Sequence, residues 1–185
     1  MKKTINIGLV ALMLFAVSVQ AQKSVKIGNQ IWMKENLNDA SKGGKCYENK
    51  PENCKKYGLL YTWKEATKAC PKGWHLPSDE EWQTLVDFAG GMGAAGGKLK
   101  AKKGWNDYEG KSGNGTDDFG FSALPGGDGN SDGDFSDAGY YGYWWSSSEY
   151  GSDDAYNQSM NYITEYALWY GGNKSALLSV RCVQD

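Results

Sequence analysis

The stretch CPKGWHLPSDEEW, residues 70–82, decides how the middle of this chain folds. It holds one of four cysteines and the only histidine, five positions apart. A cysteine beside an imidazole is the arrangement of a thiol nucleophile and its base, but that chemistry needs a free thiolate. The local signals point elsewhere. Pro71 and Gly73 stop any helix that reaches Cys70. Ser78 followed by Glu81 is a capping box, which starts a new helix. Trp82, Leu85, Val86 and Ala89 then recur at i, i+3, i+4 and i+7, and Gly90-Gly91 ends that stripe. The stretch therefore reads as a joint between two helices, with Cys70 as half of a disulfide. His75, between Trp74 and Leu76, reads as a buried histidine bonded to backbone.

Upstream, LLYTWKEATKAC (59–70) carries Thr62 as N-cap and Glu65 three residues on, with Tyr61, Ala66 and Ala69 near helical spacing. Before it, SVKIGNQIWMKENLN (24–38) alternates around Val25, Ile27, Ile31 and Trp32, which predicts two short strands turned at Gly28-Asn29. After residue 90 helical signals vanish. The chain becomes glycine-rich, with strands expected at 119–124, 142–150, 154–163, 166–172 and 177–183. Two early helices and a late, mainly antiparallel sheet with long loops predict an α+β fold. GMGAAG (91–96) matches G-x-G-x-x-G, but it follows a helix instead of a strand and reads as a helix stop and loop.

Residues 1–21 read as a secretory signal: Lys2 and Lys3, an apolar run from Ile5 to Val19, then Val19 and Ala21 before a cut. That run is shorter than the roughly 20 apolar residues a membrane span needs. No cysteine follows the cut, so no lipid anchor is expected. Residues 22–185 then form one domain, exported and either secreted, periplasmic or at the bacterial cell surface. Of 20 basic side chains, Lys2 and Lys3 leave with the signal; 18 against 22 acidic ones give a net charge of −4. That balance offers no reason to expect nucleic acid or an anionic membrane as partner. Eight tryptophans and 25 glycines suit an aromatic core with tight turns.

Cys46, Cys54, Cys70 and Cys182 form an even set in an exported chain, which suggests two disulfides in one of three connectivities. Cys46 and Cys54 flank the polar turn YENKPEN, which suits a local clip. Cys70 and Cys182 would then tie the middle of the chain to its last strand. The spacings fit no CxxC zinc pattern.

KIGNQIWMKENLN, YGLLYTWKEATKACPKGWHLPSDEEWQTL, GFSALPGG, GYWWSSSE and SVRCV together resemble the Fibrobacter succinogenes major paralogous domain, from about Val25 to Gln184. The resemblance implies an exported bacterial surface or secreted module. TWKEATKAC with GWHLPSDEEWQTL is also similar to the first two helices of C-type lectin-like domains. In those a cysteine ending the first helix bonds to one in the last strand, which implies Cys70 with Cys182. HLPSDEEW, LPGG and SVRC resemble the formylglycine-generating, or sulfatase-modifying, group. That chemistry needs a redox-active cysteine pair near the end of the domain, binding copper, and here Cys182 stands alone. The lectin calcium triplets Glu-Pro-Asn and Gln-Pro-Asp are absent.

Two loops carry the remaining candidates. In DGNSDGDFSD, residues 128–137, Asp128, Asn130, Asp132 and Asp134 alternate as oxygen ligands around Gly133, with Asp137 as a late ligand. They are expected to hold a structural calcium. The twelfth position is Gly139 instead of a bidentate glutamate. Tyr141, Tyr143, Trp144 and Trp145 are the candidate ligand-binding platform, since aromatic faces take sugar rings or a partner protein. Adjacent residues on a strand face opposite ways, so one tryptophan is expected in the core and the other outward or covered by a loop. SSSE after them has only His75 as a candidate base. The expectation is a non-catalytic exported module binding a carbohydrate or a surface protein. The alternatives are an enzyme related to the formylglycine-generating group and a structural domain for cell-surface assembly.

Overall fold

A computed structural model describes residues 23–185, so the expected signal, 1–21, lies outside the described residues. Strands β1 (Ser24–Ile27) and β2 (Gln30–Met33) pair antiparallel across a two-residue turn, with Gly28 at φ +60°. A left-handed first turn position is what glycine supplies without strain. Then follow α1 (Pro51–Tyr57), β3 (Leu60–Tyr61), α2 (Trp63–Ala66), β4 (Trp74–His75), α3 (Asp79–Phe88) and α4 (Ala95–Leu99). Beyond a long irregular segment come β5 (Asp128–Gly129), β6 (Phe135–Ser136), β7 (Tyr141–Glu149), β8 (Asp154–Asn161), β9 (Ala167–Asn173), β10 (Leu178–Ser179) and β11 (Val183–Gln184). One sheet has the order β1-β2-β11-β4, a larger one β3-β10-β7-β8-β9, and β5 pairs with β6. Only the β10–β7 pairing is parallel among these. The fold is mixed α and β, with short helices and mainly antiparallel sheets.

The opening stretch is that joint. Thr62–Glu65 and Ser78–Glu81 are both complete capping boxes, so each helix starts where its backbone donors find a side-chain acceptor. Trp82, Leu85, Val86 and Ala89 are all buried, and Trp82 packs against Trp32 at 4.7 Å between centroids. Burying each large side chain contributes about 1.5–3 kcal/mol. Between the helices, β4 pairs with β11 through His75 and Val183. Cys70 is bonded to Cys182, 112 positions away, and Cys46 to Cys54. Both expected pairings are formed, and no described cysteine is free.

Three expectations need correction. YENKPEN is not only a turn: Pro51 opens α1 at a position where its missing N–H costs nothing, and Cys54 sits inside that helix. Helix α4 occupies the glycine-rich run that was read as loop. A Cβ on Gly96 would fall on the Tyr166 carbonyl oxygen, so glycine here serves a close approach between helix and loop instead of breaking the helix. Residues 119–124 form no strand; only Ala123 bridges, to Lys100.

The family-like phrases KENLN and SVRCV meet at one buried cluster. Arg181 is fully buried without a carboxylate partner. Its Nε and Nη2 donate to Asn36 Oδ1 at 3.0 and 2.7 Å, and its Nη1 donates to the carbonyls of Met33 and Phe121. The guanidinium also lies over the Phe121 ring, 4.5 Å from its centroid. Burial lowers its pKa to about 9, with Asp117 and Glu35 pulling the other way, so it stays charged at neutral pH. Asn36 Oδ1 also accepts from Trp144 Nε1 at 2.9 Å. These phrases are therefore occupied in holding the two sheets together.

Candidate functional site

Register builds the site. On β7, Tyr141 stands opposite Asn161 of β8, Tyr143 opposite Ser159 and Trp145 opposite Asn157. On β9, Leu168 stands opposite Ser159 and Tyr170 opposite Asn157. Side chains alternate along a strand, so these residues share one face of the larger sheet. All of them except the buried Trp145 line an open groove of about 670 Å³, with Asp128 and Asp137 at its side. The size falls within the range of small-ligand sites.

The Tyr141 and Tyr143 rings are parallel, 1° apart in plane and 5.6 Å between centroids, and both are half-buried. Tyr170 is half-exposed on the edge strand β9. Asp137 has φ +67°, an uncommon conformation for a residue with a side chain. Its carbonyl accepts from the N–H groups of Tyr140 and Tyr141, which sets the start of β7. Asp128 Oδ1 accepts from Ser136 Oγ at 2.9 Å. Burial pushes the Asp128 carboxyl above the usual range, against the Ser136 hydrogen bond, and Asp137 adds to the rise. Burial also raises the Tyr143 hydroxyl pKa, with Asp137 and Asp128 contributing. The groove thus presents two aromatic faces, neutral amides and hydroxyls, and two carboxylates.

The tryptophan half of the expected platform is overturned. Trp144 and Trp145 are both fully buried. They do face opposite ways, but β7 lies inside the larger sheet and both of its faces are covered at these two positions. Trp144 packs with Trp82 of α3 in one core cluster, and Trp145 with Tyr61 and Ala66 in another. Their indole N–H groups donate to Asn36 Oδ1 and to the Tyr61 carbonyl at 2.9 and 2.8 Å, so neither is left for a ligand.

The expected calcium set is not gathered. Asn130 Oδ1 accepts from the N–H groups of Asp132 and Asp134, and its Nδ2 donates to Asp134 Oδ2 at 3.2 Å. This side chain closes its own turn, as asparagine does in loops. Asp128 and Asp137 belong to the tyrosine groove instead. Among the described residues no three His, Cys, Asp or Glu side chains converge on one point.

His75 also departs from its reading. It is half-exposed and bonds to no backbone: Nδ1 lies 2.8 Å from Asp185 Oδ1, and Nε2 lies 2.8 Å from Glu81 Oε1. Carboxylates only accept, so both contacts favour the doubly protonated imidazole, the wrong form for a general base. Burial opposes that charge, but the bonds to Asp185 and Glu81 outweigh it and raise the pKa. The residues that sequence reading missed are Asn157, Ser159, Asn161 and Tyr170. Their polar alternation on a strand reads as an ordinary solvent face until register places them beside tyrosines.

This geometry defines a class: an α+β domain tied by two disulfides, with an aromatic, carboxylate-flanked groove on its larger sheet. The chain belongs to the Fibrobacter succinogenes major domain family, which it matches over residues 25–184. Neither a curated protein nor a solved structure matches it.

Proposed function

We propose that this chain is an exported, non-catalytic binding module that takes a carbohydrate in the tyrosine groove. The observation that carries this reading is the pairing of the Tyr141 and Tyr143 rings with Asp128, Asp137, Asn157 and Asn161 around one open groove. A sugar ring offers an apolar C–H face and a rim of hydroxyls. Aromatic faces stack on the first, while carboxylates and amides bond the second. Export is supported by the two disulfides. A C-type lectin-like arrangement is supported by the two capped helices and the bond from beyond α2 to the last strands. A glycan array and a polysaccharide pull-down test the reading. Retention of a glycan by the wild type, weakened about tenfold in Tyr143→Ala, supports it. Silence across all glycans, with capture of a surface protein, moves the site to a protein ligand.

One observation favours a second reading. Asp128, raised by burial, shares the groove with Asp137, and a carboxyl pair in different environments is the usual equipment for glycosidic cleavage. Release of reducing sugar by the wild type, lost in Asp128→Asn, would select that reading over binding alone.

A further inference from the structure

A second groove, of about 850 Å³, shares no residue with the first. Three distant segments send lysine pairs to it: Lys23 and Lys34 beside β1 and β2, Lys55 and Lys56 from the last turn of α1, and Lys102 and Lys103 after α4. All six are exposed. Only Glu35 and Asp117 oppose them, and both are engaged. Glu35 faces Lys23 at 3.1 Å, and Asp117 accepts from the Ser122 N–H and Oγ at 2.7 and 2.6 Å. Six cations against two carboxylates make the groove locally basic, by +4, on a chain whose net charge is negative. The helix dipole accounts for Lys55 and Lys56 at the end of α1. It accounts for none of the other four.

We infer that this groove binds an acidic polysaccharide, a chain bearing repeated carboxylate or sulfate groups. A lone anion is held by convergent donors in a closed pocket, whereas lysine pairs from three segments around an open groove match charges repeated along a chain. Like charges gathered this way focus a field that attracts polyanions and weakens with salt. Single-stranded nucleic acid fits less well, because its bases need exposed aromatic platforms. The aromatic ring lining this groove, Tyr57, is buried, with Lys56 Nζ 4.5 Å from its centroid. The inference stands on the lysine groove alone, so it and the tyrosine-groove reading fail separately.

The test is retention of the purified protein on immobilised heparin and polygalacturonate across a salt gradient. A neutral polysaccharide and a single-stranded oligonucleotide serve as comparisons. The expected result is retention at low salt, loss as salt rises, and about tenfold weaker binding in each of K55E/K56E and K102E/K103E, with K68E, at an exposed lysine outside both grooves, unchanged. If a charge reversal unfolds the domain, replacing the same four lysines by glutamine should show the same loss. No retention of the wild type, or equal retention of the folded variants, overturns the inference. Tighter binding of the oligonucleotide than of either acidic polysaccharide overturns it as well.

Discussion

Replacing Asn36 by alanine should unravel the junction between the two sheets. Asn36 Oδ1 accepts three bonds, two from Arg181 and one from Trp144, and Nδ2 donates to the Tyr57 carbonyl and Ser179 Oγ at 2.8 and 3.3 Å. Truncation leaves the buried guanidinium with two backbone carbonyls and strips the Trp144 indole of its acceptor. Each orphaned buried donor costs about 1–3 kcal/mol, and taking a partner from a buried charge about 3–5 kcal/mol. These overlap, so the expected loss is about 3–5 kcal/mol, a large share of a domain's total stability. For a domain of this size that lowers the melting midpoint by about 6–20 °C. Asn36→Asp keeps the acceptor facing Arg181 and Trp144 but forfeits the two donated bonds, so it should lose less. Asn38, which is exposed and donates one bond to the Cys54 carbonyl, is the control: Asn38→Ala should cost under about 1 kcal/mol. Denaturant titration of the three variants decides the matter. A loss below about 1 kcal/mol for Asn36→Ala would refute the claim that Asn36 holds the Arg181 cluster.

The two disulfides should differ in worth. Closing the 112-residue separation contributes about 4.8 kcal/mol by chain entropy and the 8-residue separation about 2.5 kcal/mol, so C70A/C182A should melt well below C46A/C54A; equal midpoints would contradict this. His75 has a folded pKa above its unfolded value, so its contribution is complete below about pH 6.5 and lost as pH rises through the folded pKa. Denaturation at pH 5.5 and 8.5 should show wild type losing more stability across that interval than His75→Gln, and identical differences would sink the idea. Gly96→Ala should destabilise by about 1–3 kcal/mol, because the new methyl meets backbone at Tyr166, which cannot step aside as a side chain does.

Much of the frame was legible in residues 70–82 and their neighbours, because its signals are local. A capping box, an i, i+3, i+4, i+7 stripe and a two-residue turn each act within a few positions, and all were formed where the sequence placed them. What failed needed knowledge of neighbours. Alternation correctly set Trp144 and Trp145 on opposite faces, but nothing local says that β7 is covered on both at these positions. Glycine at 96 carries the same letter as a helix breaker, and only the approach of Tyr166 distinguishes the two uses. The acidic run 128–137 looked like one ligand set, yet Asn130 closes its own turn while Asp128 and Asp137 join tyrosines from β7. The lysine groove was hidden by a negative total, since its pairs lie up to 80 positions apart and meet only in the fold.

The tyrosine groove can be tested most directly by adsorption isotherms on a panel of insoluble neutral polysaccharides, for wild type, Tyr141→Ala, Tyr143→Ala and Tyr150→Ala, an exposed tyrosine outside the groove lining. The account predicts saturable adsorption of the wild type and of Tyr150→Ala to at least one polysaccharide. Adsorption should be about tenfold weaker in the two groove variants, with both still folded at the assay temperature. Adsorption indifferent to Tyr141 and Tyr143, or none on any member of the panel, would contradict it.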